Sequence, residues 1–106
     1  MKIVDEKNFK TEVLNAEFAV VDFYADWCGP CRVIAPLLDE IRSELNVEIV
    51  KVNIDESPDI ATQYNVMSIP TLMIFKRGEK SAVIAGATSK TRLIDWISSH
   101  LQREQC

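Results

Sequence analysis

Long hydrophobic runs are missing from this sequence. Its longest uninterrupted apolar stretches, such as Phe18–Val21 and Leu72–Phe75, are four residues long, whereas a membrane-spanning helix needs about 20. Acidic residues appear from Asp5 onward, and the N-terminal segment contains no apolar stretch of the roughly 7 to 15 residues that a secretory signal requires. We therefore expect a soluble protein without a membrane partner, and a cytoplasmic one if this is the complete translation product.

Positive charge is in short supply. Lysine and arginine number 12 against 16 aspartates and glutamates, for a net charge of −4 at pH 7, which is the wrong sign for binding phosphate backbones. Nucleic acid is therefore not an expected partner. Glycine and proline are scarce too, at three and four residues, and no repeat, low-complexity tract or linker divides the chain. The sequence predicts a single domain over residues 1–106.

Cysteine is too scarce for a disulfide framework. The chain has three cysteines, an odd number, and we expect a reducing compartment, where a close pair is more often catalytic or metal-binding than structural. Cys28 and Cys31 form such a pair. Chemistry at these two cysteines is therefore the first function to test.

The apolar pattern predicts an α/β fold. Phe18–Ala25 and Val47–Ile54 are rich in β-branched and aromatic residues, as strands buried on both faces tend to be. Apolar residues at helical spacing over 33–45 lie between them, which predicts a parallel strand–helix–strand unit. Leu72–Phe75 and Ser81–Ala85 flank a polar turn and predict an antiparallel hairpin. The sheet should therefore be mixed.

Three further helices are predicted, and together the helices should cover both faces of the sheet. One lies near the start, around Val13. Another begins at Ser57 as N-cap, with Pro58 in the first turn, and the last is capped by Thr88 or Ser89.

The segment Trp27-Cys28-Gly29-Pro30-Cys31 lies between the end of a buried strand and the start of a periodic helix. Two intervening residues allow both sulfurs to lie in one turn and form a disulfide. Cys28 at the helix N-terminus is placed where unpaired amides favour the thiolate, so we expect it to be the more exposed and more reactive thiol. Gly29 permits a tight backbone turn from the strand into the helix. Pro30 suits the first helical turn, where no backbone donor is needed.

These residues carry a resemblance to a known family. Val-Asp-Phe-Tyr-Ala-Asp-Trp-Cys-Gly-Pro-Cys, over residues 21–31, resembles the active-site strand and helix of the thioredoxin family. The resemblance continues in Val52–Asp55, Ser68–Thr71, Phe75–Gly78 and Gly86-Ala87, in the family's order and spacing. It implies the thioredoxin fold, a central mixed sheet of about five strands flanked on both faces by about four helices. Tyr24, where many members have a second tryptophan, and Cys106 depart from the family pattern.

The resemblance also implies an activity. Such a protein reduces disulfides in client proteins: Cys28 attacks and Cys31 resolves the mixed disulfide. Asp22 is similar to the family's buried carboxylate, which exchanges protons with the resolving thiol, and Lys51 to the lysine that neighbours it. A thioredoxin reductase restores the dithiol, so no bound cofactor and no metal are expected, and the protein is expected to be a monomer.

A substrate groove is implied on the same grounds. Pro70 is expected to follow a cis peptide bond in a loop against the cysteine pair, with the backbone of Ile69 pairing with an extended client segment. Trp27, Ile69 and Gly86-Ala87 would then form a shallow apolar groove around Cys28.

Other interpretations remain open from the residues alone. Asp22 fits a strand residue at a solvated edge, and Lys51 fits the polar face of its strand. Cys28 and Cys31 could form half of a zinc site completed by His100 and Cys106. Pro30, between the two cysteines, disfavours this because it stiffens the loop that would wrap the metal. Cys106 is otherwise interpreted as a tail thiol, with intermolecular pairing as the alternative.

Three other classes of protein also compete. A glutaredoxin usually carries Pro-Tyr between its cysteines, and a secretory oxidant or isomerase usually carries a histidine there. A non-catalytic binding module could use the same groove as a docking surface, although the presence of both cysteines argues against it.

Overall fold

The computed structural model describes residues 1–101, so Cys106 lies outside the described residues. In chain order the elements are β1 (Lys2–Ile3), a π-helical turn (Lys10–Leu14), β2 (Phe18–Tyr24), α1 (Gly29–Leu45), β3 (Ile49–Asn53), α2 (Pro58–Gln63), β4 (Thr71–Lys76), β5 (Glu79–Ala85) and α3 (Lys90–His100).

The strands form one mixed sheet in the order β1-β3-β2-β4-β5. β2 lies parallel to β3, as the sequence predicts, and antiparallel to β4, while β5 pairs with β4 as a hairpin. β1 pairs with the other side of β3. This strand has only two residues, too few to show a strand pattern, so the sequence did not predict it. β2 is therefore an interior strand with partners on both sides.

The two faces of β2 enter two separate cores. Val21 and Phe23 pack on one face with Val13 of the π-helical turn and Ile60 of α2. Val20 packs on the other face, against residues of α1 and α3. Because side chains alternate along a strand, Asp22 and Tyr24 lie on the same face as Val20, beneath α1. The expected covering of both faces by helices is confirmed.

Helix α1 carries one cysteine into the interior. Its buried residues are Cys31, Ile34, Leu38 and Ile41, a three- and four-residue spacing that places them on one face. Asn46 ends the helix in the left-handed conformation, with φ of 53°. Cys31 therefore belongs to the same buried stripe that anchors the helix on the sheet.

Two predicted helix starts are refined by the structure. Ser89 caps α3, where its side chain accepts a hydrogen bond from the Arg92 N–H. Ser57 occupies the N-cap position of α2, but within residues 1–101 its side chain makes no capping hydrogen bond.

In the same part of the chain no helix is both long and apolar enough to cross a membrane.

Candidate active site

The cysteine pair lies where β2 ends and α1 begins. Cys28 is the N-cap of α1, and Gly29 and Pro30 follow in its first turn. Cys28 and Cys31 are joined by a disulfide, with their Cα atoms 5.3 Å apart. Pro30 fits here because the first turn requires no backbone donor. The local sequence therefore explains how both sulfurs come to lie at the end of one helix.

The two cysteines differ in position more than in exposure. Cys28 is 4% exposed and Cys31 3%, so the expectation of a markedly more exposed Cys28 is wrong for the disulfide form. Sγ of Cys28 accepts a hydrogen bond from the Cys31 N–H at 3.2 Å. Only Cys28 caps the helix, where backbone donors and the helix dipole stabilise negative charge. The asymmetry is therefore electrostatic.

Asp22 is a buried carboxyl group in the centre of the sheet. It is 1% exposed and lies between Lys51 of β3 and Leu72 of β4 in register, so the interpretation as a solvated edge residue is wrong. Among residues 1–101, its Oδ1 atom finds no hydrogen-bond partner. Desolvation raises the pKa of Asp22 from 3.8 to about 7, against the lowering influence of the Lys51 charge. Near neutral pH this group can both accept and release a proton.

A small cavity lies beside both the Asp22 carboxyl group and Cys31. It has a volume of about 110 Å³ and is lined by Asp22, Tyr24, Ala25, Asp26, Cys31, Arg32, Ala35 and Lys51. A water molecule takes up about 30 Å³ and needs polar partners, which the carboxyl and ammonium groups of this lining provide. The arrangement suits proton exchange between Asp22 and the Cys31 thiol through water.

Lys51 lies next to Asp22 in register and is half-buried. Its Nζ atom lies over the ring of Tyr24, 4.4 Å from the centroid. No carboxylate in the described part of the chain forms a salt bridge with it. The side chain therefore faces the cavity and the aromatic ring, on the same side of the sheet as Asp22.

The loop before β4 approaches the cysteines. The Ile69–Pro70 peptide bond is cis, as expected from the resemblance, and Ile69 packs against the cluster that contains Cys28 and Cys31. The Gly86 N–H donates a hydrogen bond to the Pro70 carbonyl oxygen at 2.8 Å. Ala87 is exposed beside Gly86. The structure thus connects Ile69 with the cysteines and Gly86 with Pro70.

Trp27 is the exposed aromatic residue at this site. Its side chain is 66% exposed, and its Nε1–H donates a hydrogen bond to a carboxylate oxygen of Asp55 at 2.9 Å. This bond restrains the indole beside Cys28 although little packing holds it.

Sequence reasoning missed four residues of the site: Tyr24, Asp26, Arg32 and Asp55. All but Arg32 lie at or just beyond the carboxyl ends of the parallel strands β2 and β3, the edge where sites of α/β proteins usually form. Arg32 follows the second cysteine, and its guanidinium donates a hydrogen bond to the Asp26 carbonyl oxygen. Strand ends were thus the signal that could have identified the other three.

The zinc alternative is contradicted by geometry. His100 and Phe18, the first residue of β2, line a common pocket, whereas Cys28 follows the other end of that strand. Within residues 1–101, no group of three or more potential ligands could hold a metal ion. Cys106, the fourth supposed ligand, lies outside the described residues.

A redox-active pair at a strand–helix junction, above a buried carboxyl group and against a cis-proline loop, defines a thiol–disulfide oxidoreductase. The thioredoxin family model matches residues 1–99. The chain is 50% identical to thioredoxin 1 of Nostoc sp. over 101 residues, which cover 92% of this chain and 94% of that protein. It is 46% identical to thioredoxin of Rickettsia felis, over 92% and 96% of the two chains.

The chain belongs to the thioredoxin family. It is a thiol–disulfide oxidoreductase that exchanges disulfides through Cys28 and Cys31.

Proposed function

We propose that this protein is a general reductant of protein disulfides in which Cys28 is the nucleophile and Cys31 the resolving thiol. The position of Cys28 as N-cap of α1 carries this assignment. In the reduced protein its thiolate attacks one sulfur of a client disulfide, forms a mixed disulfide and expels the other client sulfur as a thiolate.

The second step uses the buried half of the site. The Cys31 thiol transfers its proton to the Asp22 carboxylate through the cavity that both residues line. The Cys31 thiolate then attacks the Cys28 sulfur, which forms the internal disulfide and releases the second client sulfur as a thiolate. Two electrons pass to the client. Lys51 stabilises the charged form of Asp22.

The surface around Cys28 is the proposed client groove, formed by Trp27, Ile69, Pro70, Gly86 and Ala87. Trp27 contributes an exposed apolar face, and the loop of Ile69 packs against the cysteine cluster. An extended client segment pairing with the backbone of Ile69 would bring its disulfide next to Cys28.

We also propose how the dithiol is restored and where the protein acts. A thioredoxin reductase returns the internal disulfide to the dithiol, so this chain needs no bound cofactor of its own. We propose that residues 1–106 form a single domain that acts as a monomer in the cytoplasm on disulfide-containing clients.

Trapping of mixed disulfides tests the roles of the two cysteines. Cys31→Ser should accumulate long-lived mixed disulfides with clients through Cys28, because the resolving attack is lost. The matched variant, Cys28→Ser, should trap none. Both are incubated with cell extract and compared by non-reducing electrophoresis. Equal trapping by the two variants would contradict the assignment.

Insulin reduction by dithiothreitol, with and without the protein, tests the activity itself. The wild type should accelerate precipitation of the insulin chains, and Asp22→Asn should slow it at pH 7 because the proton acceptor is missing. A non-catalytic binding module would give no acceleration.

A further inference from the structure

Three side chains share one face of the sheet beside the cysteine pair. Asp22 and Tyr24 are two residues apart on β2, and Lys51 of β3 lies in register with Asp22. All three line the cavity to which Cys31 contributes. The Lys51 ammonium is therefore a neighbour of both the carboxyl group and the phenol ring.

The Tyr24 ring is a direct neighbour of this ammonium group. Nζ of Lys51 lies 4.4 Å from the Tyr24 ring centroid, within the range over which a cation is attracted to an aromatic face. Tyr24 is itself buried, at 9% exposure, so its ring cannot move aside freely. A lysine side chain without such a partner would extend into water, where the charge is best solvated.

Other charged and titratable groups surround the cavity and the Tyr24 ring, among them Glu56, whose charge acts on the phenol. Asp26, which follows β2, and Arg32 of α1 also line the cavity. The Arg32 guanidinium is held by the Asp26 carbonyl oxygen. Helix α1 also contributes Cys31 to the lining, and on the other side of Asp22 the paired residue of β4 is the apolar Leu72.

We propose that Tyr24 is a positioning residue for the proton transfer at Asp22, because its ring face holds the Lys51 ammonium beside the cavity shared by Asp22 and Cys31. The proposal rests on the proposed function of Asp22 as proton acceptor. Removal of the ring frees Lys51 toward solvent and weakens its influence on the carboxyl group. Tyr24 packs in the same cluster as the two cysteines but supplies no reacting group in the proposed mechanism.

The test follows the NMR chemical shift of the Asp22 carboxyl carbon as a function of pH, in the disulfide form of the full chain. Tyr24→Leu removes the ring, and Tyr24→Met is a second ringless variant in case the first does not fold. Tyr24→Phe is the matched control, since it keeps the aromatic face. Each is made in the wild-type and the Lys51→Met backgrounds, so that changes in hydration of the cavity cancel in the comparison.

In the wild-type background the ringless variants should raise the midpoint of the Asp22 titration by about half a pH unit more than they do in Lys51→Met, a roughly threefold change in proton affinity. Tyr24→Phe should stay close to the wild type. Equal shifts in the two backgrounds would overturn the proposal, and so would a shift in Tyr24→Phe as large as in Tyr24→Leu.

The titration result and the proposed function can each fail without the other. The rate of mixed-disulfide resolution in Asp22→Asn decides whether Asp22 accepts the proton. The titration reports on the Tyr24–Lys51 pair whether or not that step depends on Asp22.

Discussion

The substitution Asp22→Asn should make the folded protein more stable, and increasingly so as pH rises. The unfolded chain releases the Asp22 proton near pH 3.8, whereas the folded protein keeps it until about pH 7. Below pH 3.8 both states are protonated and the group contributes no pH dependence. Between these values only the unfolded state has lost its proton, so the free energy of unfolding falls as pH rises.

The size of the effect follows from the two pKa values. The interval from 3.8 to about 7 corresponds to about 4 kcal/mol of stability lost by the wild type once both states are ionised. Asparagine has no proton to lose, and burying its amide costs the same at every pH. The advantage of Asp22→Asn should therefore grow by about 2 to 3 kcal/mol between pH 5 and pH 8.

Urea unfolding of the disulfide form at pH 5, 6, 7 and 8 measures this difference. With the denaturant dependence usual for small proteins, the gap between the two midpoints should widen by about 1 to 2 M from pH 5 to pH 8. Asp26→Asn is the matched control: it removes an exposed carboxylate near the same cavity and should show no comparable widening. A gap for Asp22→Asn that is constant with pH would refute the reasoning.

Three further predictions concern stability and the third cysteine. Leu38→Ala should lower the free energy of unfolding by about 3 kcal/mol in urea unfolding, because Leu38 is fully buried between α1 and the sheet; a loss below 1 kcal/mol would contradict that packing. Ser89→Ala should cost about 1 kcal/mol by removing the N-cap acceptor of the Arg92 N–H, whereas Ser89→Asp should retain most of the stability. Cys106→Ser should leave turnover with insulin and a thioredoxin reductase unchanged, and a large loss would show that this thiol takes part in the mechanism.

The cysteine motif and the order of the elements after β1 could be predicted from the sequence because both depend on local patterns. Cys28 precedes a helix whose periodicity is strong, and Pro30 fits the first turn, so the position of the pair at the start of α1 follows from neighbouring residues alone. The cis bond before Pro70 was expected only through resemblance to the family, since most bonds preceding proline are trans.

The burial of Asp22 was decided by tertiary structure. Its strand pattern suited a solvated edge equally well, and only the pairing of β2 with both β3 and β4 places it in the interior. The contact between Tyr24 and Lys51 depends likewise on the register of two strands separated by the whole of α1. Local sequence determines which segments become strands and where a helix begins. Strand order and register are set by packing between distant segments, and these decide which carboxyl group loses its water and which charge lies beside it.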